Sequence, residues 1–324
     1  MSGNDRTFQG KAPHRWGRDD EAVCAAIRAN RSTLKLILKT RNEDFFIERW
    51  LEHYLAILDP EDKIIVLDNM SDSERVFSVY ERHAHRIILA QYEGHVDSAH
   101  SLRKFAAMYD AVMETSQFYA LLDTDEFLHL HDGRKLLRNN QILRYLRHNA
   151  DAALCPTLFL TNVFAREDAL ICEEDDLRTY HCNGKPLLNS ALMREKLRTP
   201  VGHTRNLPAA ILSGRAPLSF VLFHLTRLSR EQRITANLQK LRSFGLIRDE
   251  KDLSFLERVR DEQIESPSIR AYLAELRKLA GMRDEAAVTT EDLRRDHFIV
   301  KADGSLEFSA PRVKELFLEH TGPK

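Results

Sequence analysis

An acidic run that follows a short apolar stretch is the feature of this sequence best suited to chemistry. Residues 119–128 read YALLDTDEFL, so Asp123, Asp125 and Glu126 come directly after residues typical of a buried strand. Carboxylates beside a buried strand lose hydration, which costs free energy unless a cation or hydrogen-bond donors meet them. The run therefore predicts a positively charged partner at the carboxyl end of a strand.

The spacing of Asp123 and Asp125 favours a metal ion as that partner. Alternate residues of an extended segment point to the same side, so both carboxylates could face one cation. Hard oxygen ligands suit Mg²⁺ or Mn²⁺, which keep coordination positions open for diphosphate oxygens. The same triplet also occurs as a solvated loop or a helix N-cap. A haloacid-dehalogenase-type phosphatase, with Asp123 as nucleophile, has a similar pattern, but there the motif normally follows the first strand.

Strands and helices alternate before the acidic run. Apolar runs predict strands at 34–38, 64–67, 87–90 and 118–122, and helical apolar stripes lie between them. Ser71, with Glu74 three residues on, predicts the N-cap of the helix after the second strand. This order predicts an α/β fold with a mostly parallel sheet, helices on both faces and right-handed crossovers. In such sheets, ligands gather outside the carboxyl ends of the strands.

Further polar residues follow the predicted strands. Asp68 could accept hydrogen bonds from a nucleoside or could serve a strand-to-helix turn, and Glu43 could contact the nucleoside or favour a helix start. His203 and His224 follow strand-like stretches and could be metal ligands. An acidic loop could supply the general base for an acceptor hydroxyl, from Glu173, Glu174, Asp175 or Asp176. The candidate donor-binding residues are Thr40, Asn42, Glu43, Asp68, Asn69, Asp123, Thr124 and Asp125.

The second half of the chain changes character. A helix is predicted at 136–147, strands at 153–160, 187–193 and 217–223, and helical stripes from 234 onward. A hairpin is predicted over 298–308, and a last helix begins at Pro311. The expected organisation is a polar, mobile arm to about residue 20 with a short helix after it (1–30), a main domain (31–228) and a mainly helical C-terminal region (229–324).

Composition excludes several classes of protein. Forty-eight basic residues against 49 acidic ones leave a net charge of -1, so no global field attracts nucleic acid. No run of about 18 apolar residues is present, and the first 20 residues are too polar for a signal peptide. The four cysteines lack CxxC spacing, so reduced thiols in a cytosolic protein are expected.

Three motifs together resemble a known family. KTRNEDFFIERWLEHYLAI (39–57), KIIVLDNMSDSE (63–74) and YALLDTDEFL (119–128) resemble the family-2-like glycosyltransferases of the GT-A fold, a bacterial group with a KNE...EWLEHH...DN.S.D...DxDEF pattern. The motifs have the family's order and spacing over 34–130. Two departures are Arg41, where the family often has Lys, and Leu225, where an aromatic residue usually follows the histidine.

The resemblance implies roles for particular residues. It implies that Asp123 and Asp125 bind Mn²⁺ or Mg²⁺ and the donor diphosphate, and that Glu43 and Asp68 touch the nucleoside. A distal histidine would complete the metal site, with His224 the first choice and His203 the second.

The expected activity is transfer of a sugar from a nucleoside-diphosphate sugar, a UDP-sugar being favoured, to a hydroxyl of a glycan or lipid-linked acceptor in surface-polysaccharide synthesis. The expected location is the cytoplasm, or a peripheral position at the inner membrane face. No nucleic-acid partner is expected. The alternatives are the phosphatase and a non-catalytic GT-A-like binding module.

Overall fold

The computed structural model describes residues 8–10, 12–172, 184–196, 203–248, 253–260 and 264–321. The strands are β1 (His14–Arg15), β2 (Ser32–Thr40), β3 (Ile64–Asp68), β4 (Ile87–Gln91), β5 (Ser116–Leu122), β6 (Glu126–His131), β7 (Leu136–Leu137), β8 (Leu154–Cys155), β9 (Thr157–Asn162), β10 (Ala169–Cys172), β11 (Leu187–Asn189), β12 (Phe220–His224), β13 (His297–Val300) and β14 (Leu306–Phe308). The helices are α1 (Asp20–Arg28), α2 (Ile47–Leu55), α3 (Glu74–Arg82), α4 (Leu102–Thr115), α5 (Gln141–His148), α6 (Ser190–Lys196), α7 (Ala209–Leu212), α8 (Arg230–Ser243), α9 (Pro267–Gly281), α10 (Glu285–Asp292) and α11 (Pro311–Thr321).

The first sheet confirms the predicted α/β fold. Its strand order is β1-β4-β3-β2-β5-β11-β8, in which β1 to β5 run parallel while β11 is antiparallel to both of its neighbours. Side chains of β2 alternate between two cores: Leu36 and Leu38 pack with Trp50 of α2, whereas Ile37 packs with Phe105 of α4. Because each face carries its own apolar layer, helices cover both faces, as the alternation of elements predicts.

A second, mixed sheet was not predicted. Its order is β14-β13-β10-β9-β12-β6-β7, and the β9–β12 pair is its parallel pair. The strand β6 begins at Glu126, inside the acidic run, so the chain passes from one sheet to the other there. The helix predicted over 136–147 is wrong at its start, because Leu136–Leu137 pairs with β6 and α5 begins only at Gln141.

Two strand predictions are corrected by changes of sheet or element. The stretch 153–160 is interrupted at Pro156, so that β8 joins the first sheet and β9 the second. Proline lacks the N–H that a continuous ladder needs, which explains the break. The stretch 187–193 is a strand only to Asn189, and α6 begins at Ser190.

The ends of the chain contribute to both sheets. The polar lead-in predicted to be a mobile arm contains β1, which pairs with β4, and Trp16 stacks on Phe105 with 5.0 Å between ring centroids. The predicted hairpin is confirmed, since β13 and β14 pair around Gly304, and β13 also pairs with β10. The domain limit at residue 229 stays a prediction, although the C-terminal hairpin extends the second sheet.

The helical part of the C-terminal region has its own apolar core. Leu238 and Leu241 of α8 pack with Leu273 and Leu276 of α9. In the part of the chain that the structure describes, no helix is long and apolar enough to cross a membrane.

Candidate functional site

The carboxyl ends of β2, β3, β4 and β5 meet at one edge of the first sheet. Thr40 lies opposite Asp68, Asp68 lies opposite Gln91, and Leu38 lies opposite Leu122, the residue before Asp123. The polar residues predicted to follow the strands are therefore brought to a common edge. In parallel sheets this edge is the usual position of a ligand site.

Asp123 is held by two lysines. Lys185 Nζ donates to Asp123 Oδ2 at 2.5 Å, and Lys39 Nζ lies 3.4 Å from Asp123 Oδ1. Lys39 Nζ also donates to Asp97 Oδ1 at 2.5 Å and lies 3.3 Å from His100 Nε2. Burial opposes ionisation, but the Lys185 and Lys39 ammonium groups hold the pKa of Asp123 well below its usual range.

Glu126 lies beneath this pair. Its Oε2 lies 2.8 Å from Lys185 Nζ and accepts a 2.8 Å hydrogen bond from the backbone N–H of Asp123. Burial raises the pKa of Glu126, and its side chain is only 2% exposed. Glu126 therefore fixes the backbone of the acidic run from inside rather than facing a ligand.

Asp125 faces His224. Asp125 Oδ2 lies 3.4 Å from His224 Nε2, and the two side chains are 24% and 28% exposed. The backbone N–H of Leu225 donates to the Asp125 carbonyl at 2.8 Å, which ties the acidic run to the end of β12. Burial opposes ionisation of Asp125, but His224 keeps the pKa of this carboxyl below its ordinary value. An ionised carboxylate and an imidazole are thus presented together.

The other predicted histidine, His203, contacts the same aromatic ring as His224. His224 and His203 both contact the ring of Phe159, with centroids 4.7 Å and 6.0 Å away. The structure thus places both histidines around one aromatic ring of β9. Sequence spacing alone could not choose between them, whereas the structure pairs His224 with Asp125.

Glu43 lies at the start of the segment that leads into α2. Its Oε1 accepts from the backbone N–H groups of Phe45 and Phe46 at 3.2 and 3.3 Å. Burial raises the pKa of Glu43, and the nearby Asp125 carboxylate adds to the increase. The residue is therefore close to the acidic run while it also stabilises a helix start.

Asp68 has a complete set of internal hydrogen bonds. Its Oδ2 accepts from Ser71 N and Gln91 Nε2, both at 2.9 Å, and its Oδ1 accepts from Tyr80 Oη at 3.1 Å and from Ser71 Oγ. The prediction that Ser71 caps α3 is wrong, because Ser73 is the N-cap and accepts from Val76 N. Ser71 instead belongs to the turn that Asp68 organises.

The remaining donor-binding candidates differ in their surroundings. Asn42 has a positive φ of 48°, and its side-chain oxygen accepts from the backbone N–H groups of Asp72 and Ser73. Asn69 donates to the carbonyls of Tyr92 and Gly94. Two further candidates are buried, Thr40 and Thr124, and the Thr40 hydroxyl has no hydrogen-bond partner among the described residues. The roles of all these residues toward a donor stay predictions.

The predicted metal fits two of its expected ligands. Asp125 and His224 offer a carboxylate oxygen and an imidazole nitrogen to the same space. Asp123 does not fit as it stands, since both of its oxygens already meet ammonium groups. Within the described ranges, no group of three or more His, Cys, Asp or Glu side chains is placed to hold a metal ion. The predicted base residues 173–176 lie outside the described residues.

Sequence reasoning missed the lysines. Lys39 occupies the end of β2, where the resemblance directs attention to Asn42 and Glu43 instead. Lys185 lies 62 residues after Asp123, and no local pattern links the two. The sequence did indicate that the acidic run needs a positively charged partner. An internal lysine meets that need as well as a metal ion does.

Helices α8 and α9 approach this edge. Phe244, which follows α8, contacts His95 at 4.7 Å between ring centroids, and the Lys240 ammonium lies 5.1 Å from the centroid of Tyr272. Burial raises the pKa of Tyr272, and the carboxylates of Asp97 and Asp123 contribute to the increase. The C-terminal helices thus form one wall of the candidate site.

Comparisons with known proteins return remote likenesses. No protein-family model matches the chain, and no curated protein matches it. Among solved structures, TarS residues 1–349 from S. aureus is 12% identical with a TM-score of 0.36, over 85% of this chain and 96% of that one. TarS has also been solved with UDP-GlcNAc, at 13% identity and the same TM-score and coverage.

Two further solved structures have similar scores. GalNAc-T7 with UDP, GalNAc and Mn²⁺ is 12% identical with a TM-score of 0.38, over 81% of this chain and 56% of that one. The mannosyltransferase PcManGT from Pyrobaculum calidifontis, with GDP-Man and Mn²⁺, is 13% identical with a TM-score of 0.32, over 84% and 90%. The bound nucleotides, sugars and Mn²⁺ belong to those proteins.

Proposed function

We propose that this chain is a glycosyltransferase of the GT-A type, which moves a sugar from a nucleoside-diphosphate sugar to a hydroxyl of a glycan or glycolipid. The observation that carries the proposal is the pair Asp125 and His224, 3.4 Å apart and partly exposed, at the edge where four parallel strands end. A partly exposed carboxylate beside a partly exposed imidazole suits a divalent ion, and this edge is the usual ligand position in such sheets.

The donor half of the site is proposed to lie between this pair and β2. Arg41, exposed directly after β2, brings positive charge that favours a diphosphate there. A divalent ion on Asp125 and His224 would neutralise charge that develops on the leaving diphosphate. An imidazole ligand beside a carboxylate favours Mn²⁺ over Mg²⁺.

The acceptor half remains a prediction from sequence. One carboxylate of 173–176 is proposed to remove the proton of the acceptor hydroxyl. A UDP-sugar donor, a glycan or lipid-linked acceptor, and surface-polysaccharide synthesis in the cytoplasm or at the inner membrane face complete the proposal.

Calorimetric titration with UDP- and GDP-sugars, with and without Mn²⁺, tests this function. We expect binding of one nucleotide class and at least a tenfold loss of affinity for Asp125→Asn, because the variant loses the charge that holds the cation. Asp59→Asn is the matched control, since Asp59 forms an exposed ion pair with Arg147, which also bonds Thr33 at the amino end of β2, away from the carboxyl ends of the strands.

Two results would count against the proposal. Absence of binding to every nucleotide sugar would favour the non-catalytic binding module. Mn²⁺-dependent donor hydrolysis by Asp125→Ala at the wild-type rate would exclude the assigned role of Asp125.

A further inference from the structure

Lys185 is a buried cation inside the acidic site. Its side chain is 4% exposed, and its ammonium group lies 2.5 Å from Asp123 Oδ2 and 2.8 Å from Glu126 Oε2. Its backbone carbonyl accepts from Thr157 Oγ1 at 3.0 Å, and the strand β11, two residues later, pairs with β5. The backbone of the lysine is thus held by both sheets, and its side chain is shielded from solvent.

Both carboxylate oxygens of Asp123 already meet ammonium groups without a metal. The Lys185 ammonium group meets Asp123 Oδ2 and Glu126 Oε2, and Lys39 Nζ lies 3.4 Å from Asp123 Oδ1 while it also donates to Asp97. Burying an ammonium group is costly unless it is paired, so the two carboxylates stabilise Lys185 in turn. A divalent ion brought to Asp123 would meet two like charges at close range and would have to displace them.

Asp125 has a different closest partner, His224 Nε2 at 3.4 Å, and the Lys240 ammonium also helps to lower the Asp125 pKa. The group facing it is His224, an imidazole that can act as a ligand when neutral. Although the two aspartates are separated by a single residue, their surroundings are therefore different: Asp123 contacts two lysines, and Asp125 contacts an imidazole that could bind a metal ion.

We propose that Lys185 is a positioning residue that acts as the internal counter-cation of Asp123, so that a free divalent ion meets Asp125 and His224 alone. This inference rests on the proposed function. With only two protein ligands, the ion binds weakly by itself and binds more tightly when a diphosphate supplies further oxygens. Metal and donor would therefore each strengthen the binding of the other.

The test measures Mn²⁺ affinity without nucleotide, by electron paramagnetic resonance of the free ion. Lys185→Met alone would leave Glu126 buried without its partner, so the main variant is Lys185→Met combined with Glu126→Gln, which keeps the net charge of the pair. We expect this double variant to bind Mn²⁺ at least tenfold more tightly than wild type, because Asp123 Oδ2 is freed as a third ligand while Lys39 still faces Oδ1.

Two controls separate this effect from a general disturbance. Glu126→Gln alone keeps Lys185 on Asp123 and should leave the Mn²⁺ affinity within threefold of wild type. Adding Asp123→Asn to the double variant should abolish the gain. A purely structural role of Lys185 predicts lower thermal stability in the double variant but no tighter Mn²⁺ binding.

The outcomes distinguish this inference from the proposed function. An unchanged or weaker Mn²⁺ affinity in the double variant, with UDP still bound by wild type in the presence of Mn²⁺, overturns the role of Lys185 only. A tenfold loss of Mn²⁺ affinity in the single variant Asp123→Asn also overturns the role of Lys185, since Asp123 would then already be a ligand in wild type. Absence of UDP binding by wild type refutes the proposed function whatever the Mn²⁺ series gives.

Discussion

Replacement of Asp68 separates a structural role from a nucleoside contact. In the folded chain, the carboxylate accepts from two amide donors, Ser71 N and Gln91 Nε2, and from the hydroxyls of Ser71 and Tyr80. Asp68→Ala removes every one of these acceptors. The hydroxyl groups can rotate toward other acceptors, whereas the two amide donors cannot.

The expected loss of stability follows from the two amide donors that lose their acceptor. Each buried donor left without a partner costs about 1–3 kcal/mol, so the pair costs about 2–6 kcal/mol. Removing a carboxylate whose pKa is raised by burial recovers part of that cost, because its desolvation penalty disappears as well. We expect Asp68→Ala to lower the free energy of unfolding by about 3 kcal/mol.

Asp68→Asn is the matched variant. Its carbonyl oxygen can keep the two amide donors in the place of Oδ2, and its NH₂ group can donate to the hydroxyl oxygens of Ser71 and Tyr80. We expect a loss of about 1 kcal/mol or less.

Urea unfolding followed by circular dichroism, with a UDP titration of the folded variants, checks both roles of Asp68. A loss below about 1 kcal/mol for Asp68→Ala would refute the hydrogen-bond reasoning. UDP affinity of Asp68→Asn should stay within threefold of wild type, because its oxygens are already occupied. A tenfold loss in this folded variant would establish the nucleoside contact that the sequence predicts.

Two further predictions concern stability away from the site. Burial lowers the pKa of His53 to about 4, and its Nε2 donates to the Leu128 carbonyl. Between pH 6.5 and 4 the unfolded chain therefore binds more protons than the folded chain, so stability falls on acidification. In urea titrations, wild type should lose about 2 kcal/mol more than His53→Gln between pH 7 and pH 5. Equal losses in the two proteins would contradict this assignment. Gly304→Ala should cost about 2 kcal/mol or more, because φ is 83° and a Cβ would lie 2.6 Å from the Leu136 carbonyl oxygen. Gly245→Ala, at φ 71° with no atom within 4 Å of the added Cβ, should cost about 1 kcal/mol, and equal costs would rule out the steric argument.

Local patterns predicted the four parallel strands β2 to β5 of the first sheet and the position of the acidic run. The apolar runs before Asp68 and Asp123 lie in buried strands, and parallel pairing brings their ends together as the alternation of strands and helices requires. These features could be predicted because burial on both faces leaves a continuous apolar signature.

The parts that sequence did not predict depend on contacts far apart along the chain. The short strand Leu136–Leu137 looks helical by periodicity, and only its partner β6 makes it a strand. Lys185 meets Asp123 across 62 residues, so that a buried ion pair stands where sequence patterns suggest a metal. Ser73 rather than Ser71 is the N-cap, because the Ser71 N–H and hydroxyl donate to Asp68.

A crystal structure with UDP and Mn²⁺ would show directly where donor and metal bind. We predict the diphosphate at the carboxyl ends of β2 and β5, with Mn²⁺ on Asp125 and His224 and with Lys185 still on Asp123. UDP bound elsewhere would contradict it, for example in the cavity of about 490 Å³ lined by Arg49, Phe127 and Arg138. Mn²⁺ on Asp123, with Lys185 displaced, would contradict the counter-cation inference while leaving the donor site in place.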